Sequence, residues 1–121
     1  MRILVVEDHV GDSTETILDI VDAGHRVVRC QPVGGAVEPC AALAGSGECP
    51  LHEPVDVVVD VHTGDEFELR ELGAICAARA GAAVVSVGHA APVLRTIRTS
   101  RADLVETLAA LEHGRDPGRR S

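Results

Sequence analysis

The segment Val55-Asp56-Val57-Val58-Val59-Asp60-Val61 constrains this chain more than any other. It is too short for a helix, and its valines occupy both parities, so both faces of the strand must be covered. That is the mark of an interior strand in a parallel sheet. Residues 3–6, Ile-Leu-Val-Val, read the same way; residues 83–87 make a further strand and residues 26–30 a weaker one. Helical spacing fills the intervals. Asp12-Ser13-Thr14-Glu15 has the pattern of a capping box. Ile17, Ile20 and Val21 mark a buried face and Gly24 a stop, which predicts a helix over 12–23. Asp65 with Glu68 repeats the box, and Leu69, Leu72, Ile75 and Cys76 carry helical spacing to Gly81. Ser100 and Asp103 open a last helix whose face is Leu104, Leu108 and Leu111, with Gly114 to end it. Strands alternating with helices predict an α/β fold in which helical crossovers join parallel strands.

A length of 121 residues suits one domain, assigned to 1–113, followed by an arginine-rich tail over 114–121 that is expected to be disordered. Residues 31–54 are rich in Gly and Pro, leaving room for a short helix over 38–44 and then a loop. The formal net charge of −8 argues against a sequence-independent grip on a phosphate backbone, so no nucleic-acid partner is expected. All 11 basic residues are Arg, and Phe67 is the sole aromatic. A Schiff-base lysine, base stacking on aromatics and a tyrosine switch are therefore excluded. No apolar run reaches the roughly 18 residues of a membrane span. No membrane association is expected, the location is read as cytoplasmic, and thiols there stay reduced by default.

In parallel sheets, ligands bind outside the carboxyl ends of the strands, where the strand order switches direction. Glu7, Asp8 and Asp60 stand at two such ends. Two unit charges about 4 Å apart repel by roughly 4 kcal/mol at an effective dielectric near 20. A hard cation such as Mg²⁺ relieves this, and a carboxylate beside it can attack a phosphoryl group. The alternative is a solvated rim on which each acid simply pairs with an arginine.

The opening MRILVVED, the later Ala23-Gly24-His25 and Arg26-Val27-Val28, and the DVVVDV strand together resemble response-regulator receiver domains of two-component phosphorelays. The resemblance implies a three-layer, flavodoxin-like parallel sheet of four to five strands. It also implies a magnesium site at Glu7, Asp8, Asp60 and the His62 carbonyl, with Asp60 as phosphoacceptor. Ser86 and Arg98 are the candidates for the switch positions. The departures are specific: the family's conserved-slot lysine has no counterpart, and Arg98 lies within about a residue of that slot. Ser86 sits about one residue early, and no switch aromatic exists. A one-residue slip reverses a strand side chain, and measured from Asp56 the acceptor slot could fall on Val61. Only residues 88–92 separate the fourth strand from the apolar run 93–97. Either the fourth helix is missing or reduced and 93–97 pairs differently, or 93–97 is itself a short helix and the fifth strand is vestigial. Exposed apolar surface there would call for a homodimer or a docking protein.

Cys30 and Cys76 read as buried small hydrophobes. Cys40, Cys49 and His52 lie apart in or near the irregular loop, where a Cys40–Cys49 pair could act as a redox switch or, with His52, respond to a metal. His9, His25, His89 and His113 are read as solvated, with His9 and His89 near the strand ends. The expectation is a stand-alone, atypical receiver-like regulator, not an enzyme. It would work through protein contact or dimerisation, with aspartyl phosphorylation impaired or absent. The rival is a redox- or metal-responsive sensor built on the cysteine loop.

Overall fold

A computed structural model describes residues 1–7, 9, 11–29, 54–64, 72–88 and 96–114. The elements are β1 (Arg2–Glu7), α1 (Thr14–Asp22), β2 (Arg26–Val28), β3 (Val57–His62), α2 (Leu72–Arg79), β4 (Ala83–Gly88), β5 (Ile97–Thr99) and α3 (Leu104–Glu112). All five strands are parallel, in the order β2-β1-β3-β4-β5. That is the doubly wound order of flavodoxin-like sheets.

The run of apolar residues on both parities has the consequence expected of it. One face of the sheet carries Ile3, Val5, Val57, Val59, Val61, Val85 and Val87, packed against Ile20 of α1 and Leu104 and Leu108 of α3. The other face carries Leu4, Val6, Val58 and Val84, packed against Ala74 and Ala77 of α2. Three layers result, and the small side chains of α2 let that helix lie close to the sheet. The edge strands β2 and β5 have three residues each, which limits the unpaired backbone they offer to another chain. Asp56 ties the lower ends of β1 and β3 together. Its carboxylate accepts from the Arg2 N–H at 2.9 Å, and its own N–H donates to the Arg2 carbonyl at 2.9 Å.

Several local expectations need correction. The apolar run 93–97, left open between a strand that pairs differently and a short helix, lies outside the described residues up to 95; its last residue, Ile97, opens the fifth strand, which pairs with β4 in parallel register, Val85 with Ile97. Residues 89–95, where a fourth helix would be sought, fall outside the described residues. The predicted capping box does not close: α1 starts at Thr14 behind Ser13, and Ser13 makes no side-chain cap. Asp12 and Glu15 are instead drawn away, to Thr63 and Arg101 respectively. Cys76 is exposed, not buried. Val21, assigned to the buried face of α1, is half-exposed. The stops were placed correctly, for Gly24 and Gly114 follow α1 and α3 with φ of 91° and 76°. The Asp65–Glu68 box, the 38–44 helix and the tail beyond Gly114 lie outside the described residues.

Candidate functional site at the strand-order switch

The strand order reverses between β1 and β3, because the helix after β1 covers one face and α2, after β3, covers the other. In sheets of this order the carboxyl ends of these two strands are where ligands bind. Glu7 closes β1, and His62 closes β3.

Glu7 is 1% exposed and turns toward α1. Its Oε2 accepts from the Ser13 N–H at 2.9 Å and from the Ser13 hydroxyl at 3.0 Å. Its Oε1 accepts from Arg29 Nη2 at 2.8 Å. Burial by itself would raise the Glu7 carboxyl above its ordinary value. The Ser13 N–H and hydroxyl, the Gly11 N–H and the Arg29 guanidinium together outweigh burial and hold it lower. The carboxylate thus sits where a bound anion would sit at a helix N-terminus, and protein donors engage both of its oxygens.

Asp60 takes the opposite side. In a parallel pair, residues in register project to the same face; Val6 pairs with Asp60, and Glu7 with Val61. Asp60 is 0% exposed and points to the α2 face. The position beside Glu7 that an acceptor would need is occupied by Val61, a core residue of the α1–α3 face. The expected convergence of Glu7 and Asp60 on one magnesium ion is therefore corrected by the alternation of the strand. Asp8 lies outside the described residues. The His62 side chain is buried, and its carbonyl oxygen lies against Gly88, where an added Cβ would stand 2.6 Å away. Among the described residues no group of three metal-ligating side chains forms.

What the structure brings together instead is a transverse row on the α2 face. Val6, Asp60, Ser86 and Arg98 occupy one level of four adjacent strands. Ser86 is fully buried, and its hydroxyl makes no hydrogen bond among the described residues; Arg98, one strand further, is exposed. The two candidate switch residues thus do stand beside the candidate acceptor, but on the side away from Glu7.

Beside these strand ends lie residues whose pairing could not be read from the sequence. The Thr63 hydroxyl donates to Asp12 Oδ2 at 3.1 Å and lies 3.3 Å from His9 Nδ1. His9 and Asp12 approach to 3.9 Å. The one available signal was positional, since Thr63 immediately follows an interior strand. This trio clasps the β1–α1 loop to the end of β3. Cys30, Cys40, Cys49, His52 and His89 fall outside the described residues.

A second feature lies on the α1–α3 side. Arg101 Nε donates to Asp19 at 2.8 Å and its Nη1 to Glu15, tying α1 to the turn that precedes α3. Beside the bridge runs an open furrow of about 590 Å³ lined by Asp19, Asp22, Arg101, Ala102 and Val105. No helix among the described residues is long and apolar enough to cross a membrane. No family model, curated protein or solved structure matches the chain.

Proposed function

We propose that the chain is an atypical receiver-like regulatory domain that acts through protein contact and does not use Asp60 as a phosphoryl acceptor. One observation carries the reading: the register sets Val61, not Asp60, beside Glu7, and turns Asp60 into the α2 face at 0% exposure. Attack on a phosphodonor needs a carboxylate oxygen within reach of phosphorus and in line with the leaving group. A carboxylate without solvent-accessible surface offers no such approach. Two further features support the same conclusion. Glu7, which a phosphoryl site would need as a metal ligand, is saturated by Ser13 and Arg29. No lysine is present to meet a phosphoryl oxygen. Regulation by contact then falls to the surface, where α1 and α3 display apolar side chains.

The test is incubation of the full chain with Mg²⁺ and a small phosphodonor, followed by intact-mass measurement. No phosphoryl adduct is expected, and Asp60→Asn should behave as the parent does. An adduct that disappears in Asp60→Asn would overturn the proposal.

A further inference from the structure

Among the described residues, the exposed large hydrophobics are Leu18 at 58%, Val21 at 50% and Val105 at 40%, all on α1 and α3. Isolated exposed apolar residues are ordinary on protein surfaces. These three lie on two neighbouring helices that cover the same sheet face, and Val105 lines the furrow beside the Arg101 bridge. Helical spacing sets Leu18 next to Glu15 and Asp22 on the outward side of α1, away from buried Thr16 and Ile20. The charge on this face is predominantly negative. α1 contributes Glu15, Asp19 and Asp22 and no cation; α3 contributes Glu106 and Glu112 and no cation. Arg101, the cation in the furrow, is engaged by Glu15 and Asp19.

We propose that the α1–α3 face docks a cationic amphipathic helix of a partner protein. The partner's apolar side seats on Leu18 and Val105, and its Arg or Lys side chains meet Asp22 and Glu106. The proposal rests on the contact-regulation reading and adds the chemistry of the partner. Charge complementarity selects this occupant. A second copy would bring the same acidic helices against their like, and an anionic membrane surface would be repelled. A cationic helix gains attraction at long range and covers the apolar side chains at short range.

The test uses the full-length chain, isotopically labelled and observed by NMR. The probe is a synthetic helix of Leu, Ala and Lys with its leucines at helical spacing. The controls are a scrambled peptide of the same composition and a version with Glu in place of Lys. The amides of Leu18, Asp22, Ala102 and Val105 are expected to shift with the patterned cationic peptide. Affinity should fall about fivefold in Asp22→Lys and about tenfold in Leu18→Ser, in variants whose circular dichroism matches the parent. Equal binding of the scrambled or acidic peptide, shifts confined to another face, or no binding would overturn the proposal. So would shifts of these amides on dilution of the protein alone, which would mark a second copy, or their broadening by anionic vesicles. The two readings fail separately. A phosphoryl adduct on Asp60 with peptide still bound at α1–α3 removes the first and leaves the docking face. An inert Asp60 with no peptide bound removes only the face.

Discussion

Truncating Glu7 tests whether its carboxylate is a structural anion rather than a waiting metal ligand. Glu7→Ala leaves the buried Ser13 N–H and hydroxyl without their acceptor and releases Arg29. Hydrogen bonds to a charged group contribute about 1.5–3 kcal/mol each. The Arg29 pair is half-exposed and counts for under about 1 kcal/mol. Relief from burying the carboxylate offsets part of the sum, so a net loss of about 3 kcal/mol is expected. For a chain of this length that corresponds to a Tm lower by roughly 10–15 °C. The chain has no Trp and no Tyr, so unfolding is best followed by far-ultraviolet circular dichroism. Two further readouts follow from the geometry. Formate or acetate should restore part of the Tm in Glu7→Ala, by entering the vacated seat; at ten times its dissociation constant such an anion returns about 1.4 kcal/mol. The pH dependence has a definite sign. The Glu7 carboxyl is held below its ordinary 4.5 in the folded state, so the unfolded chain takes up the proton first as pH falls. The stabilisation is present above about pH 4.5 and is lost as pH drops through the folded value. The gap between parent and Glu7→Gln should therefore close in acid. A Tm change of only a degree or two in Glu7→Ala, with no response to formate, would refute the assignment.

Three other outcomes follow from the packing. Gly88→Ala should cost about 2–3 kcal/mol, because its Cβ would meet the His62 carbonyl oxygen at 2.6 Å and φ at Gly88 is 98°; urea denaturation measures it. Leu108→Ala empties a fully buried site on the α3 side of the core and should cost about 2–5 kcal/mol, read from the same curves. Cys76 is exposed, so a thiol reagent should modify it in the folded protein, and Cys76→Ser should remove that fraction.

The fold was largely legible because the signal lies in interior strands. Val57 to Val59 and Ile3 to Val6 are apolar on both parities, and only a sheet covered on both faces accommodates that pattern. The glycines after α1 and α3 were readable for the same reason, since a left-handed residue has few substitutes. The side-chain partners were not legible. Asp12 and Glu15 have the spacing of a capping box, yet each found a tertiary partner, and the α1 N-terminus is served by Glu7 from a neighbouring strand. Helical spacing placed Cys76 and Val21 on buried faces, but α2 buries its alanines instead and α1 leaves Val21 at a half-exposed margin. The fifth strand stayed open in the sequence because three residues at an edge carry little periodicity.

The candidate site turned on a single parity, and sequence alone left that parity open. Asp60 or Val61 could have faced Glu7; the register chose Val61. This makes a gain-of-function experiment informative. Val61→Asp puts a second carboxylate on the Glu7 face, one strand spacing of about 4.8 Å away. Their repulsion there is about 3.5 kcal/mol at an effective dielectric near 20, added to the loss of a core valine. The variant should be several kcal/mol less stable than the parent, and millimolar Mg²⁺ should return a measurable part of that loss. The parent should show no such response, because Asp60 and Glu7 lie on opposite faces of the sheet. Heating parent and variant with and without Mg²⁺ decides the matter. If Mg²⁺ raised the Tm of the parent, and Asp60→Asn abolished the rise, the two carboxylates would have to meet after all and the parity argument would fail.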